Sequence, residues 1–220
     1  MNYIVVLSSF LGLFSCENKA QTVENKSENK IENKIENKRV IMKDSVQLAT
    51  FAGGCFWCTE AVFLEVKGVE KVVSGFTGGF IKNPAYREVC NGTTGHAEGI
   101  QITFNSKEVA YEDLLEIFFA THDPTTLNKQ GADVGTQYRS AIFYHSPEQK
   151  AKAENYIQLI EKEKLYPNAV VTQIEEAGVF YLAEDYHQNY YNQNKEQGYC
   201  EYVIAPKLDK LRKYYKSKLK

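Results

Sequence analysis

From Glu17 to Arg39 the chain repeats Glu-Asn-Lys, in units such as Ile31-Glu32-Asn33-Lys34 and Ile35-Glu36-Asn37-Lys38, and this tract fixes where folding can begin. On a helix, a period of four would stack Glu28, Glu32 and Glu36 along one edge and Lys30, Lys34 and Lys38 along another. Like charges at i,i+4 repel, and Asn is a poor helix former. The tract also holds too little apolar surface to offset the entropy of ordering it. Residues 17–44 therefore read as a disordered tether, with random-coil dimensions on the order of 25–30 Å. Regular apolar patterning begins near Ser45 and continues to the C-terminus, so 45–220 reads as one folded domain with ample length for a core.

Ahead of the tether, Met1 to Ser15 are almost entirely apolar and Cys16 follows directly. A dozen or so apolar residues fall short of the roughly 20 that span a bilayer, but they suit the h-region of a secretory signal. Leu13-Phe14-Ser15-Cys16 resembles a bacterial lipobox, although the segment before it carries no Lys or Arg and Phe14 is bulky for its place. Residues 1–16 are thus expected to export the chain and to leave Cys16 lipidated, facing the periplasm or the cell exterior. The alternative is a cytoplasmic protein.

Within 45–220, Val46, Leu48 and Phe51 lead as a strand into Ala52-Gly53-Gly54. Cys55 to Val66 reads as a helix stopped near Gly68, and Val69 to Phe80 as a glycine-rich strand. Ile100 to Phe104 alternates as a half-buried strand, and Tyr111 to Ala120 forms an amphipathic helix. Ala141 to Tyr144 is a short strand. Ser146-Pro147-Glu148-Gln149 supplies an N-cap and a proline at the first helical position, opening a helix to about Lys164. Ala169 to Ile174 is a further strand. Interleaved strands and helices without a strict repeat predict a single α+β domain with helices packed on a mixed β-sheet.

Charge excludes one class of partner. Lys and Arg number 26 against 28 Asp and Glu, a net of −2, so there is no electrostatic footprint for nucleic acid. The five cysteines leave at least one unpaired and point to reactive thiols. Gly53-Gly54-Cys55-Phe56-Trp57-Cys58 is the strongest local signal. A Cys placed by a Gly turn at a helix start meets free N–H groups and the positive end of the dipole, which lower its pKa toward thiolate. Phe56 and Trp57 then either fill the core or line a site. Cys55-x-x-Cys58 is also half of a zinc site that Cys90 and His96 could complete, but the Cys-x5-His spacing lies outside the usual structural patterns.

The stretch from Asn83 to Glu98 lacks periodicity and reads as a long loop, of the kind that carries function. Glu98 precedes the apolar strand, where burial would raise its pKa and make it a proton donor. Gln130 to Ser140 is a second polar loop feeding a strand. Gly198-Tyr199-Cys200 lies in a polar C-terminal segment, where a mobile thiol could reach another.

In this order the signals resemble the A-type peptide methionine sulfoxide reductases. Gly54-Cys55-Phe56-Trp57 is similar to the family's nucleophile motif and Gly95-His96-Ala97-Glu98 to its acidic loop. Gly135-Thr136-Gln137-Tyr138-Arg139-Ser140 and Ala183-Glu184-Asp185-Tyr186-His187-Gln188 match further signatures. The similarity runs from about Leu48 to Lys210.

The resemblance implies a two-layer α/β sandwich with a ferredoxin-like core and long functional loops. It implies that Cys55 attacks the sulfoxide sulfur of oxidised methionine, in proteins and free, on the S epimer. Glu98 would protonate the sulfoxide oxygen, Tyr86 and Tyr138 would hold that oxygen, and Asp133 would support the site. Phe56 and Trp57 would cage the substrate's methyl group. Cys55 would be left as a sulfenic acid, a resolving thiol would condense with it, and thioredoxin or a similar donor would reduce the disulfide. No metal or organic cofactor is implied, and a monomer is expected. The family setting of Gly198-Tyr199-Cys200 favours Cys200 as the resolver, with Cys58 the alternative and Cys90 a buried structural thiol. Two other classes stay open at this point: a CxxC thiol–disulfide oxidoreductase, for which Glu98 and Tyr138 would be dispensable, and a tethered binding lipoprotein without catalysis.

Overall fold

The computed structural model describes Ser45–Lys220. The apolar segment 1–16 with Cys16 and the tether 17–44 lie outside the described residues.

Strand β1 (Val46–Gly53) leads into helix α1 (Phe56–Leu64), followed by β2 (Val69–Thr77), the short α2 (Tyr86–Cys90), β3 (Ala97–Asn105) and α3 (Tyr111–Thr121). A small paired unit, β4 (Lys129–Gln130) and β5 (Asp133–Val134), precedes β6 (Ser140–Tyr144) and the long helix α4 (Pro147–Lys162). Then come β7 (Gln173–Glu176), β8 (Tyr181–Leu182), α5 (Tyr190–Gln193) and α6 (Ala205–Tyr214).

One six-stranded sheet has the order β7-β6-β1-β3-β2-β8. β3 runs antiparallel to both β1 and β2, and β6 antiparallel to β1. The connection β1-α1-β2 therefore joins two parallel strands with β3 between them, and β3-α3-β6 does the same around β1. Two such split crossovers, in the central order β6-β1-β3-β2, make a ferredoxin-like core. The parallel pairing of β6 with β7 makes the sheet mixed.

Why the core sits where it does follows from β1 and β3. Phe51 pairs in register with Ile100 on one side and Ile142 on the other, and all three are fully buried. Helices α1 and α3 bring Phe63 and Phe118 onto that patch, with ring centroids 5.6 and 4.9 Å from Phe51. Leu114 and Leu115 on α3 and Phe104 on β3 complete it. α6 lies against both α1 and α3. The core is built from Phe, Ile, Leu and Val; the chain's two methionines, Met1 and Met42, both precede the described residues.

Several boundaries differ from the sequence reading. Cys55 is the N-cap residue of α1, so the helix starts one residue later and ends at Leu64, ahead of Gly68 at φ +81°. β2 stops at Thr77, because Gly78 at φ +76° turns the chain. The stretch from Asn83 to Glu98 is not one loop: it holds α2, started by Glu88 accepting from the Ala85 N–H at 2.9 Å, and its last two residues begin β3. The strand expected over 169–174 lies at Gln173–Glu176, where register with Ala141–Tyr144 of β6 sets it; just before, the Val171 N–H is taken by the Pro124 carbonyl at 2.8 Å. The helix after Ser146 starts as expected, with Ser146 Oγ accepting from Gln149 N at 3.2 Å and Pro147 in the first turn. Cys200 is not in a mobile segment: it opens a five-residue π-helix, Cys200–Ile204, that runs into α6.

Candidate active site

Two adjacent glycines at the end of β1 aim Cys55. A Cβ on Gly53 would come within 2.9 Å of the Phe118 ring, and one on Gly54, at φ +88°, within 2.5 Å of Gln130 Cγ. Only glycine lets the strand turn this tightly under the Gln130 side chain. The turn leaves Cys55 at the start of α1, nearly buried, with its carbonyl accepting from the Cys58 N–H at 3.1 Å. Both thiols are free, and each acts on the protonation of the other.

The electrostatics of this pair correct the expectation for Cys55. Burial pushes the Cys55 thiol well above its usual value, and the neighbouring Cys58 and Glu98 push the same way. Cys58 is the thiol that is lowered, to about 7, first by the hydrogen bond from Cys55 and then by the nearby Lys207 and the Tyr199 hydroxyl, against burial and Asp133. Burial outweighs the helix start for Cys55, and the first free amide of α1 serves another group: Phe56 N–H donates to Glu98 Oε2 at 3.1 Å.

Glu98 reaches that amide from β3, where it pairs in register with Phe76. It is 1 % exposed. Burial, with Asp133 and Cys58 adding to it, raises its pKa from 4.5 to about 8 despite the Phe56 amide. The carboxyl is therefore protonated at neutral pH and faces the start of α1. The hydroxyls of Tyr86 on α2 and Tyr138, at the end of a 3₁₀ turn, stand within electrostatic reach of Glu98; burial raises both pKa values, so both remain donors. Cys90 is half-buried rather than buried, and its thiol lies beside these two hydroxyls.

Aromatic rings wall this corner. Phe56 is fully buried and stacks on Tyr86, with centroids 6.1 Å apart. Trp57 is half-buried, stacks on Tyr190 at 3.8 Å and donates its Nε1–H to His187 Nδ1 at 3.2 Å. His187 in turn lies 4.1 Å from the Tyr86 ring and is kept neutral by burial. Glu60 of α1 anchors the segment that carries these rings, accepting from the Asn189 and Tyr190 amides at 2.8 and 3.3 Å. Glu184 accepts from the Tyr86 amide at 3.2 Å.

Beside the thiols is a recess of about 240 Å³, lined by Cys55, Cys58, Gln130, Asp133, Tyr199 and Lys207 among others. Asp133 accepts from the Tyr199 hydroxyl at 2.9 Å, and that oxygen lies 3.7 Å from the Cys58 sulfur. Asp133 thus acts beside the thiols, through Tyr199. Cys200 is fully covered, though close beneath the surface.

Sequence reasoning assigned no role to His187, Tyr190, Tyr199 or Lys207. His187 lies in the stretch Ala183 to Gln188, so its motif is visible in the sequence although its role is not. His96 belongs elsewhere: its ring accepts from the Gly79 amide at 3.0 Å and meets the Ile81 carbonyl at 2.7 Å. Among the described residues no three His, Cys, Asp or Glu side chains are grouped to hold a metal ion.

A nucleophile motif, a buried protonated acid and an aromatic wall meeting at one helix start call for comparison with known proteins. The peptide methionine sulfoxide reductase family model matches residues 47–219. The chain belongs to that family. It is 58% identical over 172 residues to the peptide methionine sulfoxide reductase MsrA of Deinococcus radiodurans, covering 78% of this chain and 84% of that one. It is 59% identical over 165 residues to the MsrA of Leptospira borgpetersenii, covering 75% and 93%. Among solved structures it is similar to reduced Mxr1 from Saccharomyces cerevisiae, with a TM-score of 0.65 and 33% identity over 71% of this chain and 90% of that one. Methionine sulfoxide reductase A of Corynebacterium diphtheriae gives 0.63 and 34% over 72% and 79%. The protein is a peptide methionine sulfoxide reductase, and its α+β fold is the one those structures share.

Proposed function

We propose that this reductase acts on the S epimer of methionine sulfoxide, in oxidised proteins and as the free amino acid, through Cys55. The reading is carried by one observation: Cys55 and the neutral carboxyl of Glu98 converge on the first turn of α1, bridged by the Phe56 amide. The substrate methyl lies among Phe56, Trp57 and Tyr86. Tyr86 and Tyr138 hold the sulfoxide oxygen. The Cys55 proton passes to Cys58, whose pKa of about 7 makes it an adjacent base. The Cys55 thiolate attacks sulfur while Glu98 protonates the oxygen. From the adduct the hydroxyl passes from the methionine sulfur to the Cys55 sulfur as the S–S bond between them breaks, so methionine leaves reduced and Cys55 is left as a sulfenic acid.

For the resolving step, contact favours Cys58 over the Cys200 that the family setting suggests. Cys58 closes a turn on Cys55, within the Cα separation a disulfide needs, whereas Cys200 is covered in a π-helix. The resulting disulfide is returned to thiols by thioredoxin or a similar dithiol donor. The enzyme acts as a monomer; its large exposed apolar side chains, such as Phe80, Leu127 and Val179, come from separate loops. It works outside the cytoplasm on a lipid anchor at Cys16, a reading supported by the apolar stretch before that Cys and the polar tract after it.

Assays of the separate S and R sulfoxides with dithiothreitol test the activity: turnover of the S form alone, abolished by Cys55→Ser, is expected. Equal turnover of both epimers refutes the epimer assignment. Peptide mass mapping after one equivalent of sulfoxide tests the resolver. A 55–58 linkage is expected, and a 55–200 linkage overturns the choice of Cys58. Mass spectrometry of the native N-terminus decides the anchor, with an unmodified Cys16 or an intact Met1 counting against it.

A further inference from the structure

The recess beside the thiols holds a positive charge to which the proposed sulfoxide step assigns no role. Lys207, in the first turn of α6, lines it together with Cys55, Cys58, Asp133 and Tyr199. The lysine is half-buried, and it shares the recess with Asp133 without a salt bridge between them among the described residues. Six groups act on Cys58. They are Cys55 at the helix start, Glu98 from β3, Asp133 from β5, Tyr199 and Cys200 from the C-terminal segment, and Lys207 from α6. Lys207 is the cation of this set.

We propose that Lys207 is an electrostatic positioning residue for the resolving half of the cycle, its ammonium stabilising the Cys58 thiolate both when it attacks and when it leaves. The proposal rests on Cys58 being the resolver. In the forward step the Cys58 thiolate attacks the sulfenic sulfur of Cys55. The S–S bond forms, the S–O bond breaks, and the departing hydroxide takes up the proton that Cys58 had received from Cys55, leaving as water. Cys58 is oxidised and the sulfenic sulfur reduced. In the return step a thiolate of the dithiol donor attacks the Cys55 sulfur and Cys58 leaves as thiolate. The donor's second thiol then cleaves the mixed disulfide, reducing Cys55 and oxidising the donor. A better-stabilised leaving thiolate leaves faster and makes the disulfide more oxidising. The recess is lined by both Cys55 and Cys58, so it gives a dithiol donor access to these two sulfurs.

The test uses the full-length enzyme with Lys207→Met and Lys207→Arg. Removing a nearby charge from a site of intermediate dielectric is expected to change thiolate stability about three- to tenfold. Lys207→Met should move the pH midpoint of disulfide formation upward, read by dimedone trapping of the remaining sulfenic acid. At pH 9, where Cys58 is ionised in both proteins, it should shift the equilibrium with dithiothreitol toward disulfide by the same about three- to tenfold. Lys207→Arg should restore both, which a merely structural loss would not allow. If the unmodified enzyme forms no 55–58 disulfide after one equivalent of sulfoxide, the resolver reading falls and this proposal with it. If the disulfide forms but Lys207→Met moves neither the pH midpoint nor the dithiothreitol equilibrium, Lys207 has no such role while Cys58 remains the resolver.

Discussion

Replacing Glu98 with glutamine should remove the proton donor and at the same time stabilise the fold, most of all in alkaline solution. The carboxyl is 1 % exposed, and burial raises its pKa from 4.5 to about 8. Because the folded value lies above the unfolded one, the folded state binds the extra proton between those pH values. The stability that goes with it is complete below pH 4.5 and is lost as pH rises through about 8. At about 1.4 kcal/mol for each tenfold change, that rise makes ionised Glu98 a cost of about 3–5 kcal/mol above pH 8. Glutamine keeps the shape and the carbonyl that accepts from the Phe56 amide, but carries no charge to desolvate. Urea unfolding of both proteins at pH 5, 7 and 9 should give a stability gap near zero at pH 5 that widens to a few kcal/mol at pH 9. Over the same range the dithiothreitol-driven rate of the parent enzyme should fall as Glu98 ionises. The variant should be about 10²–10⁴ slower at neutral pH, the usual contribution of general acid catalysis. A stability gap that does not change with pH would refute the reasoning, since it would mean that the carboxyl is not held neutral by burial.

Three further outcomes follow from the geometry. Gly54→Ala places a Cβ at φ +88° against Gln130, so unfolding should show a loss of about 1–3 kcal/mol, and turnover should fall with it as Cys55 is displaced. Trp57→Phe removes the donor to buried His187 Nδ1, a loss of about 1–2 kcal/mol, and should raise KM for the sulfoxide more than it lowers kcat. Phe51→Ala, at the centre of the core, should cost about 3–5 kcal/mol in urea unfolding while leaving the pH dependence of the rate unchanged.

What the sequence made legible was local. The glycine turn before Cys55 is written in adjacent residues, and Glu98 stands next to an apolar strand, so its burial and raised pKa follow from the pattern. The cap at Ser146 and Pro147 is equally local. What stayed hidden depends on chain segments that meet only in space. Cys58 is lowered by its neighbour Cys55 and by Lys207, about 150 residues away, and nothing in the Cys55-x-x-Cys58 spacing says which sulfur keeps the proton. Cys55 looked set to ionise because its place at the helix start was legible, while its burial and Glu98's use of the Phe56 amide were not. The strand at Gln173–Glu176 was displaced in the reading because pairing with β6, not the apolar run itself, sets its register. Cys200 looked mobile because its flanks are polar, yet Ile204, Leu208 and Leu211 just beyond it are buried in the core.

The core described above contains no methionine between Ser45 and Lys220. Thioether side chains are the usual gap-fillers of protein interiors, and oxidation turns them polar and disrupts the packing around them. Here phenylalanine, isoleucine, leucine and valine fill that space, so the oxidants that create the enzyme's substrate find no thioether in the folded domain to attack. The folded domain therefore offers the enzyme nothing to repair in its own core; within this chain methionine oxidation is confined to Met1 and Met42, ahead of the domain.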